Sequence, residues 1–207
     1  MLDKKVILIG YSGHAYVVAD IAIENQYNII GYTEKSRVQN NPFNLNYAGY
    51  EREIDFFVNN KDIRFIIGIG DNLIREKIYN LITSKNAEIT TLISCTASIS
   101  QSAKINSGTF VNRNVSINAL AKIGKNVILN TACVIDHECE ISDSVHIGPG
   151  AVLAGNVLVG ERTFIGANSV IKQGVQIGKD VIVGAGTVVL HDISDGKKIV
   201  GNPSRFI

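Results

Sequence analysis

The hydrophobic pattern along this chain changes its period once. Over the first ninety or so residues, short apolar runs alternate with stretches that carry apolar residues at helical spacing. Val6-Ile7-Leu8-Ile9 reads as a buried strand ended by Gly10, and Ala15 to Asn25 as a helix. Asn28 to Tyr32 predicts a second strand, and the polar stretch from Thr33 to Tyr47, with Asn40-Asn41-Pro42 inside it, predicts a loop. Glu51 to Asn60 predicts a helix and Arg64 to Ile69 a third strand. Asn72 to Ser84 predicts a helix with Leu73, Ile74, Ile78, Leu81 and Ile82 on one face. The order βαβαβα specifies a small parallel sheet with helices packed on it, over residues 1–92.

From Ile93 onward the apolar residues recur every sixth position. Ile93, Ile99, Ile105, Val111, Ile117, Ile123, Leu129, Ile135, Ile141, Ile147, Leu153, Val159, Ile165, Ile171, Ile177, Val183 and Val189 keep the step without a gap. The residue four places later is always small or β-branched, as at Ala103, Thr109, Cys133, Cys139, Ala151 and Ser169. A period of six excludes an amphipathic helix, whose faces recur at about 3.6 residues. It fits a three-sided prism in which one hexad forms each side and three form a coil. Like residues then stack in columns at about 4.8 Å, and five to six coils make a prism roughly 25 to 28 Å long. The large aliphatic residue points inward and the small one packs at the corner, while Gly supplies backbone freedom in the turns. This coil spans 93–195, followed by a tail over 196–207.

Composition agrees with such a coil: no Trp, one Met, 7% aromatic residues and 19 Gly. A net charge of +1 without a basic run argues against nucleic-acid binding, which needs clustered Lys and Arg. No apolar stretch approaches the roughly 18 residues of a membrane span, and no secretory h-region follows Met1. Three cysteines, with neither a CxxC pair nor a Cys/His metal spacing, fit a reduced cytoplasm, no disulfide framework and no metal site.

Chemistry concentrates in a few places. His137 follows the core residue Ile135 by two positions, so it faces outward between Asp136 and Glu138. Either carboxylate can accept a hydrogen bond from one ring nitrogen, fix the tautomer and raise the basicity of the other. The residue one coil further on is Gly155, whose uncovered amide beside an imidazole suits an oxyanion donor next to a general base. A solvated surface histidine is the plainer alternative. His146 lies on a different side of the prism, so the two histidines share a site most easily across a subunit interface. Cys133 and Cys139 occupy corner positions that Ala, Thr and Val fill elsewhere, and Cys95 has no base beside it, which disfavours a covalent thiol mechanism.

In the first domain, Gly10-Tyr11-Ser12-Gly13-His14 is a glycine turn that opens a helix, where backbone amides and the helix dipole favour a phosphate. It is a partial dinucleotide fingerprint only. A second turn, Gly68-Ile69-Gly70-Asp71-Asn72, ends the third strand. Together they form a crevice at one sheet edge, the usual place for a nucleotide in a Rossmann-like domain. The alternative is that these glycines merely shape tight loops.

These segments, with Leu129-Asn130-Thr131-Ala132-Cys133-Val134-Ile135-Asp136-His137-Glu138 and Val200-Gly201-Asn202-Pro203-Ser204-Arg205, resemble the sialic acid O-acetyltransferase family of hexapeptide-repeat acyltransferases. Within it, the likeness is to bacterial UDP-4-amino-sugar N-acetyltransferases of bacillosamine synthesis. The resemblance implies a left-handed parallel β-helix and a homotrimer, with acetyl-CoA in grooves between coils and the sugar nucleotide on the first domain. It implies His137 as general base helped by Glu138, with Asn130 near the sugar. Ser12, Gly13, His14 and Gly70 would meet the sugar nucleotide, and His146, Gly155, Ala167 and Ala185 would line the acetyl-CoA groove. The acidic residues with which the family reads the base after the second strand have no clear match, and Glu34 and Lys35 stand nearest. Lys179, Lys197, Lys198 and Arg205 are candidates for the CoA phosphates. The implied activity is acetyl transfer to a nucleotide-linked 4-amino deoxy sugar. Sugar O-acetylation and a non-catalytic trimeric scaffold are the alternatives.

Overall fold

A computed structural model of the chain describes residues 4–53, 56–60 and 63–207. The chain divides into two compact units, Met1–Leu92 and Ile93–Ile207.

In the first unit, β1 (Lys5–Ile9), β2 (Asn28–Thr33), β3 (Tyr47–Gly49) and β4 (Arg64–Ile67) make a parallel sheet in the order β3-β2-β1-β4. Helices α1 (Gly13–Glu24), α2 (Phe56–Asn59) and α3 (Asn72–Ser84) connect or follow the strands. Ile7, Ile9, Phe65, Ile78 and Ile82 lie in one buried cluster of this unit. The pattern missed β3, a three-residue strand with no apolar run of its own. Part of the helix expected over Glu51 to Asn60 is a turn, and residues 54–55 lie outside the described residues. The expected face of α3 also needs correction, because Leu73 and Ile74 are 54% and 46% exposed. Its buried positions are Arg75, Ile78 and Ile82, still at helical spacing.

The second unit is a parallel β-helix built from two-residue strands. On the first face Val111, Leu129, Ile147, Ile165 and Val183 stand in register. On the second are Ile117, Ile135, Leu153, Ile171 and Val189. On the third are Ile105, Ile123, Ile141, Val159 and Ile177. Each partner is one coil of 18 residues away, and nearly all of these side chains belong to a single buried core. At the carboxyl end the step shortens: Ile177 pairs with Ile193, and Val183 with Ile199. Residues 196–207 therefore do not stand apart as a tail. Lys198–Val200 extends the first face in parallel, and Arg205–Phe206 returns antiparallel to it.

The corners show why the small residues are needed. Thr109, Thr163 and Ser169 are buried, and each donates its hydroxyl to the carbonyl of Gly124, Gly178 or Gly184 in the next coil, at 2.7 to 2.9 Å. A buried hydroxyl without such a partner would cost about 1–3 kcal/mol. The glycines divide into two sets: Gly108, Gly150, Gly174 and Gly186 have φ of 64 to 74° and supply the turn freedom expected, whereas those that follow the core aliphatic serve coil stacking. Gly160 has no left-handed backbone, and a Cβ there would lie 2.5 Å from the Gly178 carbonyl carbon, so close coil stacking is what requires it. The left-handed backbone sits three residues after the core aliphatic, where Asn114, Asn126, Asn156 and Asn168 have φ of 54 to 59°. Asparagine tolerates that region at little cost. Leu120, Glu138 and Arg162 adopt it too, with φ of 65, 59 and 58°.

If coil stacking is the constraint, Gly160→Ala destabilises the chain by about 1–3 kcal/mol, as overpacking does. The denaturant midpoint of the second unit measures this, and an unchanged midpoint would contradict the packing account.

Candidate active site

The first unit positions an open cleft at the ends of β1 and β4. Gly10 leaves β1 with φ of 84°, and Tyr11 turns inward to stack on Tyr32, ring centroids 4.3 Å apart. The Tyr11 hydroxyl donates to Asn41 Oδ1 at 2.8 Å and accepts from the Phe43 amide at 3.2 Å, which fastens the loop between β2 and β3. Ser12 is the N-cap of α1, but its side chain makes no capping bond. At Gly13 an added Cβ would meet nothing within 4 Å. The helix α3 begins otherwise, since Asp71 Oδ1 accepts the Ile74 amide at 2.9 Å. A carboxylate already occupies that helix end, whereas the exposed amino end of α1 is open to an anion.

The cleft has a volume of about 470 Å³. Four expected residues line it: Ser12, Glu34, Lys35 and Gly70. Glu34 is already engaged, because its Oε1 accepts the Tyr11 amide at 3.0 Å. Gly13 and His14 do not line the cleft. His14 is partly buried behind Gly70, and burial, then the Arg75 charge, lower its pKa to about 4. At neutral pH it is therefore an uncharged ring that cannot serve as a cationic phosphate ligand.

Sequence reasoning missed Tyr50 and Arg52, which line the cleft, and the role of Arg75. Arg75 is 2% exposed and donates from Nη1 to the Gly70 carbonyl and from Nη2 to Asn72 Oδ1, both at 2.9 Å. Its guanidinium holds the second glycine turn from behind. The signal was present, because an arginine on the buried stripe of an otherwise apolar helix face requires buried acceptors.

In the second unit, the corner between the second and third faces carries His137, Glu138 and Gly155. The imidazole lies against Gly155, where a Cβ would overlap ring atoms Cε1 and Nε2. Glu138 Oε2 is 3.1 Å from His137 Nδ1. Asp136 is used elsewhere: its Oδ1 accepts from Asn118 Nδ2 at 2.7 Å and from the His137 amide at 2.8 Å, and these bonds lower its pKa. The two carboxylates thus divide the work, Asp136 fixing the turn and Glu138 facing the ring. With Glu138 at Nδ1, the Nδ1–H tautomer is favoured and Nε2 is the basic nitrogen.

The same turn logic explains Gly155. Asn112, Asn130 and Asp136 each accept the amide of the residue that follows them. Ala154 cannot, and the Gly155 amide has no acceptor among the described residues. Gly155 is buried beside the imidazole, not open to solvent as expected. Cys133 and Cys139 are buried corner residues. Burial pushes the Cys133 thiol up to about 12 and raises Cys139 as well, which leaves neither a thiolate nucleophile at neutral pH.

The corner between the first and second faces holds a separate group. Asn112, buried, donates from Nδ2 to Asn130 Oδ1 at 2.9 Å, and Asn130 Nδ2 is 3.4 Å from His146 Nε2. His146 packs edge-on against Phe164, ring centroids 5.0 Å apart. Ala167 and Ala185 lie further along this corner, where Val200 of the last strand also meets Gly184. One chain therefore gathers His137, Glu138 and Gly155 at one corner, and Asn130, His146, Ala167 and Ala185 at another.

Residues 5–82 match the PglD N-terminal domain. Residues 138–173 match the bacterial transferase hexapeptide (six repeats), and residues 157–191 the hexapeptide repeat of succinyl-transferase. A hexad coil bearing a histidine on a glycine, behind a small α/β domain, is a hexapeptide-repeat acyltransferase. No curated protein sequence matches the chain. Three solved structures are similar over nearly all of it. One is a histidine-to-alanine mutant of GDP-perosamine N-acetyl transferase from Caulobacter crescentus, in complex with CoA and GDP-perosamine. It is 31% identical, with a TM-score of 0.92, over 98% of this chain and 96% of that one. The acetyltransferase domain of PglB from Neisseria gonorrhoeae, in complex with acetyl coenzyme A, is 31% identical with a TM-score of 0.91, over 99% and 100%. WeeI from Acinetobacter baumannii is 25% identical with a TM-score of 0.88, over 98% and 99%. The chain belongs to the family of hexapeptide-repeat acetyltransferases that act on nucleotide-linked amino sugars.

The neutral His14 has a consequence for stability. Its folded pKa of about 4 lies below the ordinary 6.5, so between these values the unfolded chain binds a proton that the folded chain does not. Stability is complete above pH 6.5 and falls as the pH drops toward 4, by up to about 3 kcal/mol. Melting curves of the first unit at pH 7 and pH 5 measure the loss, and His14→Asn flattens the dependence in this window.

Proposed function

We propose that this protein transfers the acetyl group of acetyl-CoA to the 4-amino group of a nucleotide-linked deoxy amino sugar, with His137 as general base. The observation that carries the reading is the His137 ring seated on Gly155 with Glu138 at Nδ1. The relatives support the substrate classes: one structure holds CoA and GDP-perosamine, and another holds acetyl coenzyme A. The sugar nucleotide occupies the cleft of the first unit, its phosphates against the open end of α1 at Ser12. Glu34, Lys35 and Gly70 complete that site. The sequence resemblance favours UDP as the nucleotide, and a GDP-linked sugar is bound by the Caulobacter relative.

The sugar amine attacks the thioester carbonyl as His137 Nε2 takes its proton and Glu138 holds the imidazolium that forms. The carbonyl oxygen gains the negative charge, and the Gly155 amide, with no acceptor of its own among the described residues, is the candidate donor for it. Collapse of this intermediate breaks the C–S bond, and His137 returns its proton to the CoA thiolate. The products are the acetamido sugar and CoA.

A homotrimer completes the site. Outward from the second face, Val134, Val152, Val170 and Val188 stack in an apolar column, with Val170 43% exposed. A second copy packed on this column covers it and brings its own Asn130 and His146 toward His137. Acetyl-CoA then runs between copies past His146, Ala167 and Ala185, and Lys197, Lys198 and Arg205 meet its phosphates. Lys179 is the weaker candidate, because its ammonium is 4.0 Å from Asp195.

Thiol release from acetyl-CoA tests the reading with a panel of UDP-, GDP- and TDP-linked 4-amino sugars and free sialic acid. We expect turnover of an amino-sugar nucleotide, and a fall in kcat of roughly 100-fold or more for His137→Ala. Turnover confined to sialic acid, or an unimpaired His137→Ala variant, would overturn it.

A further inference from the structure

The loop between β2 and β3 begins at the cleft, and tyrosine side chains pin it along its length. Tyr47 Oη donates to the Glu34 carbonyl at 3.1 Å, Tyr32 Oη accepts the Val38 amide at 3.1 Å, and Tyr11 Oη holds Asn41 and Phe43. The three rings pack in sequence, with centroids 4.3 Å apart for Tyr11 and Tyr32 and 5.7 Å for Tyr32 and Tyr47. Asn41 extends the restraint, since its Nδ2 donates to the Leu45 carbonyl at 2.9 Å and its Oδ1 accepts the Leu45 amide at 3.0 Å.

Tyr11 is the member that joins this loop to the cleft. It stands between Gly10 and Ser12, which both line the cleft, while Tyr11 itself is 1% exposed and does not. Its amide donates to Glu34 Oε1 at 3.0 Å, at the start of the loop, and its hydroxyl reaches the far part at Asn41 and Phe43. Glu34 and Lys35 line the cleft, so two of its charged residues belong to a loop held from behind.

We propose that Tyr11 is a positioning residue, which sets the loop after β2 before any nucleotide arrives, so that the nucleoside diphosphate part of the substrate meets Glu34 and Lys35 already in place. This rests on the nucleotide-sugar reading above and deepens it. A loop that orders only on binding loses conformational entropy at that moment and weakens the complex, whereas a loop ordered in advance does not. Tyr11→Phe keeps the ring on Tyr32, removes both hydroxyl bonds and leaves the Phe43 amide without its acceptor.

The test compares wild type, Tyr11→Phe, Asn41→Ala and the double variant by calorimetric binding of UDP, GDP and TDP, by steady-state kinetics, and by trypsin cleavage after Arg37 in the loop. In wild type, cleavage is equally slow with and without nucleotide. In Tyr11→Phe it quickens, the Kd for the preferred nucleotide and the KM for its 4-amino-sugar derivative rise about tenfold, and kcat and the KM for acetyl-CoA are unchanged. The double variant binds no more weakly than Asn41→Ala, because both substitutions open the same link. Faster cleavage with an unaltered Kd would overturn the proposal, since the loop would then have no part in binding. So would a wild-type loop that resists trypsin only when nucleotide is present, an unchanged cleavage rate in Tyr11→Phe, or additive losses in the double variant. A wild type that binds none of the three nucleotides would overturn the underlying reading and this one with it.

Discussion

The structure depends on the parallel hydrogen bonding of each coil to the next at a spacing of 18 residues. Because every coil repeats the same backbone path, any side chain lies over the one 18 positions away, and chemistry becomes a matter of columns. A column with inward aliphatics is core, and a column with small hydroxyls closes the corners. One column sets an imidazole on a glycine, and that contact leaves room for the ring with Glu138 at its Nδ1. Any other residue at position 155 would collide with the ring, so the imidazole and its seat are specified together.

The same register keeps parts of the candidate site apart. His137 and Asn130 are seven residues apart in sequence yet stand at different corners of the prism, with the whole second face between them. That face carries the outward valine column. An apolar surface between two incomplete halves of a site is what a shared, intersubunit active site requires. In the proposed trimer, one surface serves both assembly and catalysis.

Much of this was legible in the sequence, because the coil is periodic and few residues deviate from the period. The unbroken hexads from Ile93 to Val189 locate the core, and the 18-residue step from His137 to Gly155 locates the imidazole on its glycine. Other features have no periodic signature. The strand at Tyr47–Gly49 is too short to show one, and the exposed Leu73 and Ile74 obey helical spacing while lying at the helix start by the open cleft. The shortened last coil at Ile193 and Ile199 falls just after the repeat lapses. The glycines were only half read: Gly150 and Gly174 hold the positive φ of a turn while Gly160 serves a coil contact that forbids a Cβ, and spacing alone does not separate the two. Arg75 shares the helical spacing of Ile78 and Ile82, so its place on the buried stripe was legible, whereas the Gly70 and Asn72 acceptors it holds were not.

The central claim is that one copy's His137 works with the next copy's Asn130, and complementation between inactive variants tests it most directly. His137→Ala and Asn130→Ala chains, each impaired alone, are co-expressed so that mixed trimers form, and thiol release is measured on the purified mixture. With random mixing, about a quarter of the sites regain both residues from different chains, so activity returns to about a quarter of wild type. Activity that stays at the level of the parent variants, while native mass spectrometry shows mixed trimers, would contradict the account.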